Sequence, residues 1–131
     1  MNNDIPPFIS GIKAKAEVIL VSHNIVTSID SNNPASLSLS VHELLREKLN
    51  FTGIILTDDL DMGATSNIEN ACVKAVLAGN NLIITTNYKD SFNSIKNAIN
   101  NNIITEEDID ALAHRVLSWK YYKGLIIENN K

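Results

Sequence analysis

The stretch Phe51-Thr-Gly-Ile-Ile-Leu-Thr-Asp58-Asp59-Leu-Asp61-Met62-Gly63 joins an apolar run, a burst of carboxylates and a helix entrance within very few residues. Gly53 to Thr57, with two adjacent isoleucines, has the pattern of a parallel strand buried on both faces. Asp58, Asp59 and Asp61 arrive where that strand must end. In parallel α/β architectures the chemistry sits at the carboxyl ends of the strands, so acids delivered there converge on a ligand site and not on the core. A single Asp would be an ordinary helix N-cap. Three within four positions repel one another, which a purely structural loop has little reason to tolerate, although capping and solvation remain a rival role.

Outward from this segment, Val18-Ile-Leu-Val21 reads as a second buried strand ending in Ser22-His23-Asn24, which places His23 at the same end of the sheet as Asp58. Leu82-Ile-Ile-Thr85 is a third, with Thr86, Asn87 and Tyr88 at its carboxyl end. Helical stripes fill the intervals. Phe8 and Ile12 mark a short helix interrupted by Gly11, and Ser40 to Glu43 form a capping box ahead of Leu44, Leu45 and Leu49. Ile68, Ala71, Cys72, Ala75 and Val76 make another helix, closed by Gly79 in a left-handed cap. Asp90 or Ser91 caps a helix that turns Phe92, Ile95, Ala98 and Ile99 inward. Thr105 to Asp108 open a last helix with Ile109, Leu112, Ala113, Val116 and Leu117 toward the sheet and Gly124 at its end. His42 falls off its stripe and is expected at the surface; His114 and Trp119 are read as packing or surface residues. The Ser- and Asn-rich segment from Thr27 to Leu39 is a loop long enough to suggest a functional one. Strand and helix alternate three times, which predicts an α/β fold with parallel pairing and right-handed crossovers.

The 131 residues amount to one domain, too short for a complete eight-stranded α/β barrel of about 250 residues. A net charge of −4 argues against nucleic acid or an anionic membrane as partner. Cys72 is the only cysteine, which leaves no intramolecular disulfide and no thiolate metal cluster and suggests a buried, inert thiol. The opening residues lack a secretory pattern and no apolar run approaches the roughly 18 residues of a membrane span, so a cytoplasmic, reducing location is expected.

Two chemistries suit an Asp cluster at one strand end with a His at the next. One uses a carboxylate as nucleophile or acid/base; the other uses the carboxylates to hold Mg²⁺. A receiver domain is the natural example of the second. It fits poorly, because a receiver's acid pair follows its first strand and its lysine follows its last.

Gly-Ile-Ile-Leu-Thr-Asp58-Asp59-Leu-Asp-Met-Gly-Ala resembles the nucleophile segment of family 3 glycoside hydrolases, in their β-N-acetylglucosaminidase (β-N-acetylhexosaminidase) branch. The likeness continues in order through Pro7-Phe8, Ile-Leu-Val-Ser-His23, Asn33-Pro-Ala-Ser-Leu-Ser, Leu44-Leu-Arg46, Leu49-Asn-Phe-Thr-Gly, Ala75-Val-Leu-Ala-Gly79, Arg115-Val-Leu and Lys123-Gly-Leu. It covers nearly the whole chain. The family fold is a TIM (β/α)₈ barrel, and the resemblance implies that residues 1–131 are its C-terminal part, a partial barrel of about three parallel βα units holding strands six to eight. It further implies Asp58 as the catalytic nucleophile of a retaining mechanism, His23 beside an N-acetylglucosaminide substrate, and Asp59, Asp61 and Met62 in support, Asp59 and Asp61 holding the loop and capping the next helix. No cofactor or metal is implied.

The departure is as informative as the match. This branch carries its general acid/base on an Asp-His loop in the earlier part of the barrel, and no Asp-x-His unit occurs here. An acid/base contributes about 10²- to 10⁴-fold to such reactions. The chain is therefore expected either to need a partner chain bearing the missing barrel half or to be a truncated, non-catalytic remnant; a module that binds amino sugars is a third reading. Two unpaired strand edges predict self-association in any case.

Overall fold

The computed structural model describes residues 4–126. Three strands, β1 (Val18–Val21), β2 (Ile54–Asp59) and β3 (Leu82–Ile84), form one parallel sheet in sequence order. Five α-helices accompany them: α1 (Ile5–Lys13), α2 (Leu39–Glu43), α3 (Ala71–Ala78), α4 (Tyr88–Asn100) and α5 (Glu106–Tyr122). The α/β class and parallel pairing follow the strand and helix alternation. β2 takes in Asp58 and Asp59 themselves, and α2 winds on through a π-helical turn over Leu44–Lys48. No described helix is long and apolar enough to cross a membrane.

Burial on both faces holds only for the middle strand. Ile54 and Ile55 are fully buried, whereas Leu20 on β1 is 50% and Ile84 on β3 is 40% exposed. The register explains this. Val18 pairs with Ile54, Leu20 with Leu56 and Leu56 with Leu82, so these side chains share one face, and pleating puts Ile19, Val21 and Ile55 on the other. The second face is packed. Val21 and Ile55 join Val41, Leu45 and Phe51 in one core cluster, and α3 joins Leu37, Leu60, Ala98 and Ile104 in a second. The first face has no helix layer over its carboxyl-terminal half.

Several positions differ from the sequence reading. α2 is capped by Ser38, whose Oγ accepts from the Val41 amide, rather than by Ser40. Gly11 lies inside α1 without ending it. Phe92 is exposed, because the inward row of α4 runs through Ser91, Ser94, Ile95 and Ala98 and leaves Phe92 one position round the helix. Ala113 and Leu117 face solvent for the same reason, the inward row of α5 being Ile109, Leu112, Val116 and Trp119. Gly79 closes α3 at φ +102° as expected, and Thr105 and Asp108 form the reciprocal capping box of α5. Cys72 is buried.

His42 is the largest correction: it is only 2% exposed, not a surface residue. Its Nδ1 donates to the Ser38 carbonyl at 2.8 Å. The Asn80 amide nitrogen donates to the carbonyls of Ser36 and Ala75, which fixes that amide's orientation. With Nδ1 carrying the hydrogen, His42 Nε2 and Asn80 Oδ1 are both buried acceptors without a donor. Burial pushes the His42 pKa below its ordinary value, and the charge of Arg46 adds to this, against the Ser38 carbonyl and Asn80, which favour the protonated ring. An unfolded chain takes up that proton more readily than the folded one. The stabilisation is thus complete above about pH 6.5, the unperturbed value, and is lost as pH falls below it. The urea midpoint should drop between pH 7.5 and pH 5.5, and His42→Gln should flatten that drop whatever its own baseline stability.

Candidate active site

The carboxyl ends of β1, β2 and β3 deliver His23, Asp58 with Asp59, and Thr85 to Asn87 to one edge of the sheet. Asp58 is half-buried at the end of β2, inside the register slip that pairs Leu56 with Leu82 and Asp59 with Ile84. Its Oδ1 accepts from the Asp59 amide at 2.9 Å. It caps no helix. The partly exposed face formed by Leu20, Leu56, Leu82 and Ile84 thus runs up to the two half-buried acids at the end of β2.

Asp59, the next residue, is also half-buried and pairs with Ile84, and its Oδ1 accepts from the Asp61 amide at 3.0 Å. Among the described residues no three His, Cys, Asp or Glu side chains are grouped to hold a metal ion. This geometry does not fit the Mg²⁺-binding arrangement of a receiver.

His23 has both ring nitrogens engaged. Nε2 donates to the Asp59 carbonyl at 2.8 Å, and Nδ1 pairs with the Ser36 hydroxyl at 2.7 Å. Ser36 is fully buried, and its carbonyl accepts from Asn80, so the ring is fixed from behind. In this arrangement His23 presents no free nitrogen to a sugar. It tethers the end of β1 to the peptide that follows Asp59.

Asp61 caps no part of α3, whose N-cap position, Asn70, makes no side-chain cap bond. Instead its Oδ2 reaches across to the β3–α4 connection, accepting from Thr85 Oγ1 at 2.9 Å, Thr86 N at 2.7 Å, Thr86 Oγ1 at 2.8 Å and Asn87 N at 3.0 Å. These donors, led by the Asn87 amide, lower the Asp61 pKa to about 2. The lock is thus present above the ordinary carboxylate range and released as pH falls through about 2. It joins the loops after β2 and β3 into one wall. Asp61→Ala should raise the hydrogen-exchange rates of the Thr86 and Asn87 amides about tenfold or more, while amides in β2 stay protected. Unchanged exchange at both positions would show the lock to be idle. Met62 is half exposed, and its backbone carbonyl accepts from the amides of Thr65 and Ser66, which builds the tight turn after the acids.

Sequence reasoning missed the polar residues that hold this edge from below. Thr65 is buried with its Oγ1 on the Leu60 carbonyl, and Thr57 Oγ1 accepts from the Ile84 amide where the β2–β3 register slips. Asn81 extends the ladder: its amide donates to the Ile55 carbonyl and its Oδ1 accepts from the Ile55 amide. A polar residue directly before an apolar strand was the available signal.

The family model described as "Glycosyl hydrolase family 3 N terminal domain" matches residues 1–119. A beta-hexosaminidase of Glaesserella parasuis serovar 5 (strain SH0165) is 38% identical over 93 residues, which is 68% of this chain and 27% of that protein. One from Actinobacillus pleuropneumoniae serotype 5b (strain L20) is 30% identical over 125 residues, 90% of this chain and 36% of that one. Among solved structures, the family 3 beta-N-acetylglucosaminidase of Paenibacillus sp. str. FPU-7 superposes with a TM-score of 0.83 at 25% identity, covering 95% of this chain and 27% of that structure. CbsA from Thermotoga neapolitana gives 0.83 at 28% identity, covering 97% and 30%. The chain thus spans about a third of the length of the curated relatives it matches. With the family model matched over residues 1–119, the chain belongs to glycosyl hydrolase family 3, in its N-terminal domain, and its relatives are beta-hexosaminidases.

Proposed function

We propose that residues 1–131 are the nucleophile-bearing part of a retaining β-N-acetylhexosaminidase barrel, holding strands six to eight, with Asp58 as the nucleophile. The observation that carries this reading is the position of Asp58, at the carboxyl end of the middle strand, where the partly exposed face of Leu20, Leu56, Leu82 and Ile84 ends. A barrel closed over that face would turn Leu20, Leu56, Leu82 and Ile84 into its packed interior and leave Asp58 at the mouth, where family chemistry takes place. Asp58 then attacks the anomeric carbon of an N-acetylglucosaminide, the bond to the leaving oxygen breaks, and water later releases the sugar with net retention. His23 and Asp61 hold the strand end and the loop wall around it, and Asp59 supports the turn.

Protonation of the leaving oxygen needs a second carboxyl or equivalent group about 5–5.5 Å from Asp58. Asp59 is engaged in the turn, its Oδ1 accepting from the Asp61 amide, and the chain has no Asp-x-His unit. The acid/base therefore comes with the remaining barrel strands, which pair with the free edges of β1 and β3. The test is hydrolysis of a chromogenic N-acetylglucosaminide by this chain alone and after mixing with a polypeptide carrying the other strands of a beta-hexosaminidase relative. Turnover only in the mixture is expected. Equal turnover by the chain alone would overturn the assignment of the acid/base to the other half, and a mixture that forms but stays inactive would overturn the catalytic reading in favour of a non-catalytic remnant.

A further inference from the structure

At the end of the sheet opposite Asp58, a cleft of about 920 Å³ opens between α5, the residues before β1 and the turn before β2. Its volume falls within the roughly 300–1,000 Å³ of small-molecule sites. Lys15, Arg115, His114 and Lys123 line it, with Glu17 as the acid among them and Trp119 and Tyr122 as rings. Glu17 is already committed: Lys123 Nζ lies 2.5 Å from one of its oxygens, and Trp119 Nε1 donates to the other at 3.2 Å. Lys15 and Arg115 are left without an acidic partner among the described residues.

The cationic surplus continues behind the wall. Arg115 Nη1 donates to the Thr52 carbonyl at 2.7 Å. Arg46 donates to the carbonyls of Phe51 and Gly53 and to Asn81 Oδ1, all neutral oxygens, with its guanidinium 5.5 Å from the centre of the Phe51 ring. Burial, with the nearby charge of Arg115, brings the Arg46 pKa down to about 10. Two guanidiniums thus repel one another, and neither is paired with a carboxylate among the described residues, in a chain whose net charge is −4. Arg115 is half-buried and Lys15 exposed, so the cleft offers an anion from outside the chain two cations that meet no carboxylate among the described residues. One Arg115 donor of the five is used on Thr52, which leaves a fork suited to two oxygens of one phosphate. The rings of Trp119 and Tyr122 supply surface for stacking.

We propose that this cleft binds a small phosphate monoester carrying a flat ring, of the nucleoside monophosphate class, with the phosphate on Arg115 and Lys15 and the ring against Trp119 or Tyr122. This site stands apart from the nucleophile and does not depend on its assignment.

Trp119 is the only tryptophan, so its fluorescence reports on the cleft directly. Titration of the full chain with adenosine 5′-monophosphate should give a saturable change, at least about tenfold tighter than with adenosine and weakening as salt rises, as an ionic contact requires. Arg115→Ala should weaken binding about tenfold. Lys15→Gly provides the check if that variant folds poorly, since Lys15 sits at φ +67°, where glycine is unstrained; a similar loss is expected. A linear response, equal responses to the nucleotide and to adenosine, or binding unchanged in Lys15→Gly would overturn the proposal.

Discussion

A chain carrying Asp58→Asn, combined with the remaining barrel strands, is expected to cleave a chromogenic N-acetylglucosaminide at least about 10³-fold more slowly than the wild-type combination, the scale for loss of a covalent nucleophile. The substitution suits the question because Asp58 makes one hydrogen bond within the fold, accepting from the Asp59 amide, and an asparagine Oδ1 can accept the same bond. Stability should therefore change little, by under about 1 kcal/mol. A mechanism-based reagent separates the nucleophile from the acid/base. In a 5-fluoro-N-acetylglucosaminyl fluoride the leaving group is fluoride, which departs without protonation; the Asp58 carboxylate forms the bond to the anomeric carbon as the carbon–fluorine bond breaks. Intact mass should show one added glycosyl group on wild-type chain in the mixture and none on Asp58→Asn. Labelling that survives the substitution would refute the role of Asp58. Labelling without turnover of ordinary glycosides would instead locate the defect in the acid/base.

What the sequence made legible was what depends on near-neighbour chemistry. The apolar runs at Val18, Ile54 and Leu82 defined the strands, the Thr105 to Asp108 box opened α5, and Gly79 closed α3, because each rests on side chains within a few residues of one another. The acids after Leu56 marked the carboxyl end of β2 for the same reason. Illegible were the features that need a second segment to be in place. His42 looked like a solvated helix residue until Asn80 and the carbonyl of Ser38 were found around it. Asp61 has the composition of a local cap, yet its partners lie at Thr85 to Asn87 across the sheet end. His23, expected at the substrate, is held by Ser36 and by the backbone of Asp59. Exposure of the inner face of β1 and β3 was equally hidden, since an apolar strand sequence states that a face is to be covered and not what covers it.

The second large effect concerns the join between the first two strands. A Cβ built on Gly53 would lie 2.3 Å from the Glu17 carbonyl oxygen and 2.6 Å from Cζ of Phe51. Neither neighbour can yield cheaply. Phe51 is 2% exposed and packed in the core cluster with Leu45 and Ile55, so its ring has no empty space to enter. The Glu17 carbonyl is backbone, and it accepts the Ile54 amide at 2.8 Å, the bond that sets β2 beside β1. Moving it breaks that bond, at about 1 kcal/mol, on top of about 1–3 kcal/mol for overpacking. It also shifts the residue whose carboxylate holds Lys123 and Trp119, and so loosens α5 from the amino-terminal end of the sheet. Gly53→Ala should therefore destabilise the chain by about 3 kcal/mol in urea unfolding, with earlier exchange of the Ile54 amide. Gly63→Ala is the matched control: nothing lies within 4 Å of the Cβ it would add, so its midpoint should stay within about 0.5 kcal/mol of wild type. If the two variants unfold alike, the close approach of Gly53 to Glu17 is not what fixes the register of β1 on β2, and the alignment that carries Asp58 to the end of the sheet must be set elsewhere.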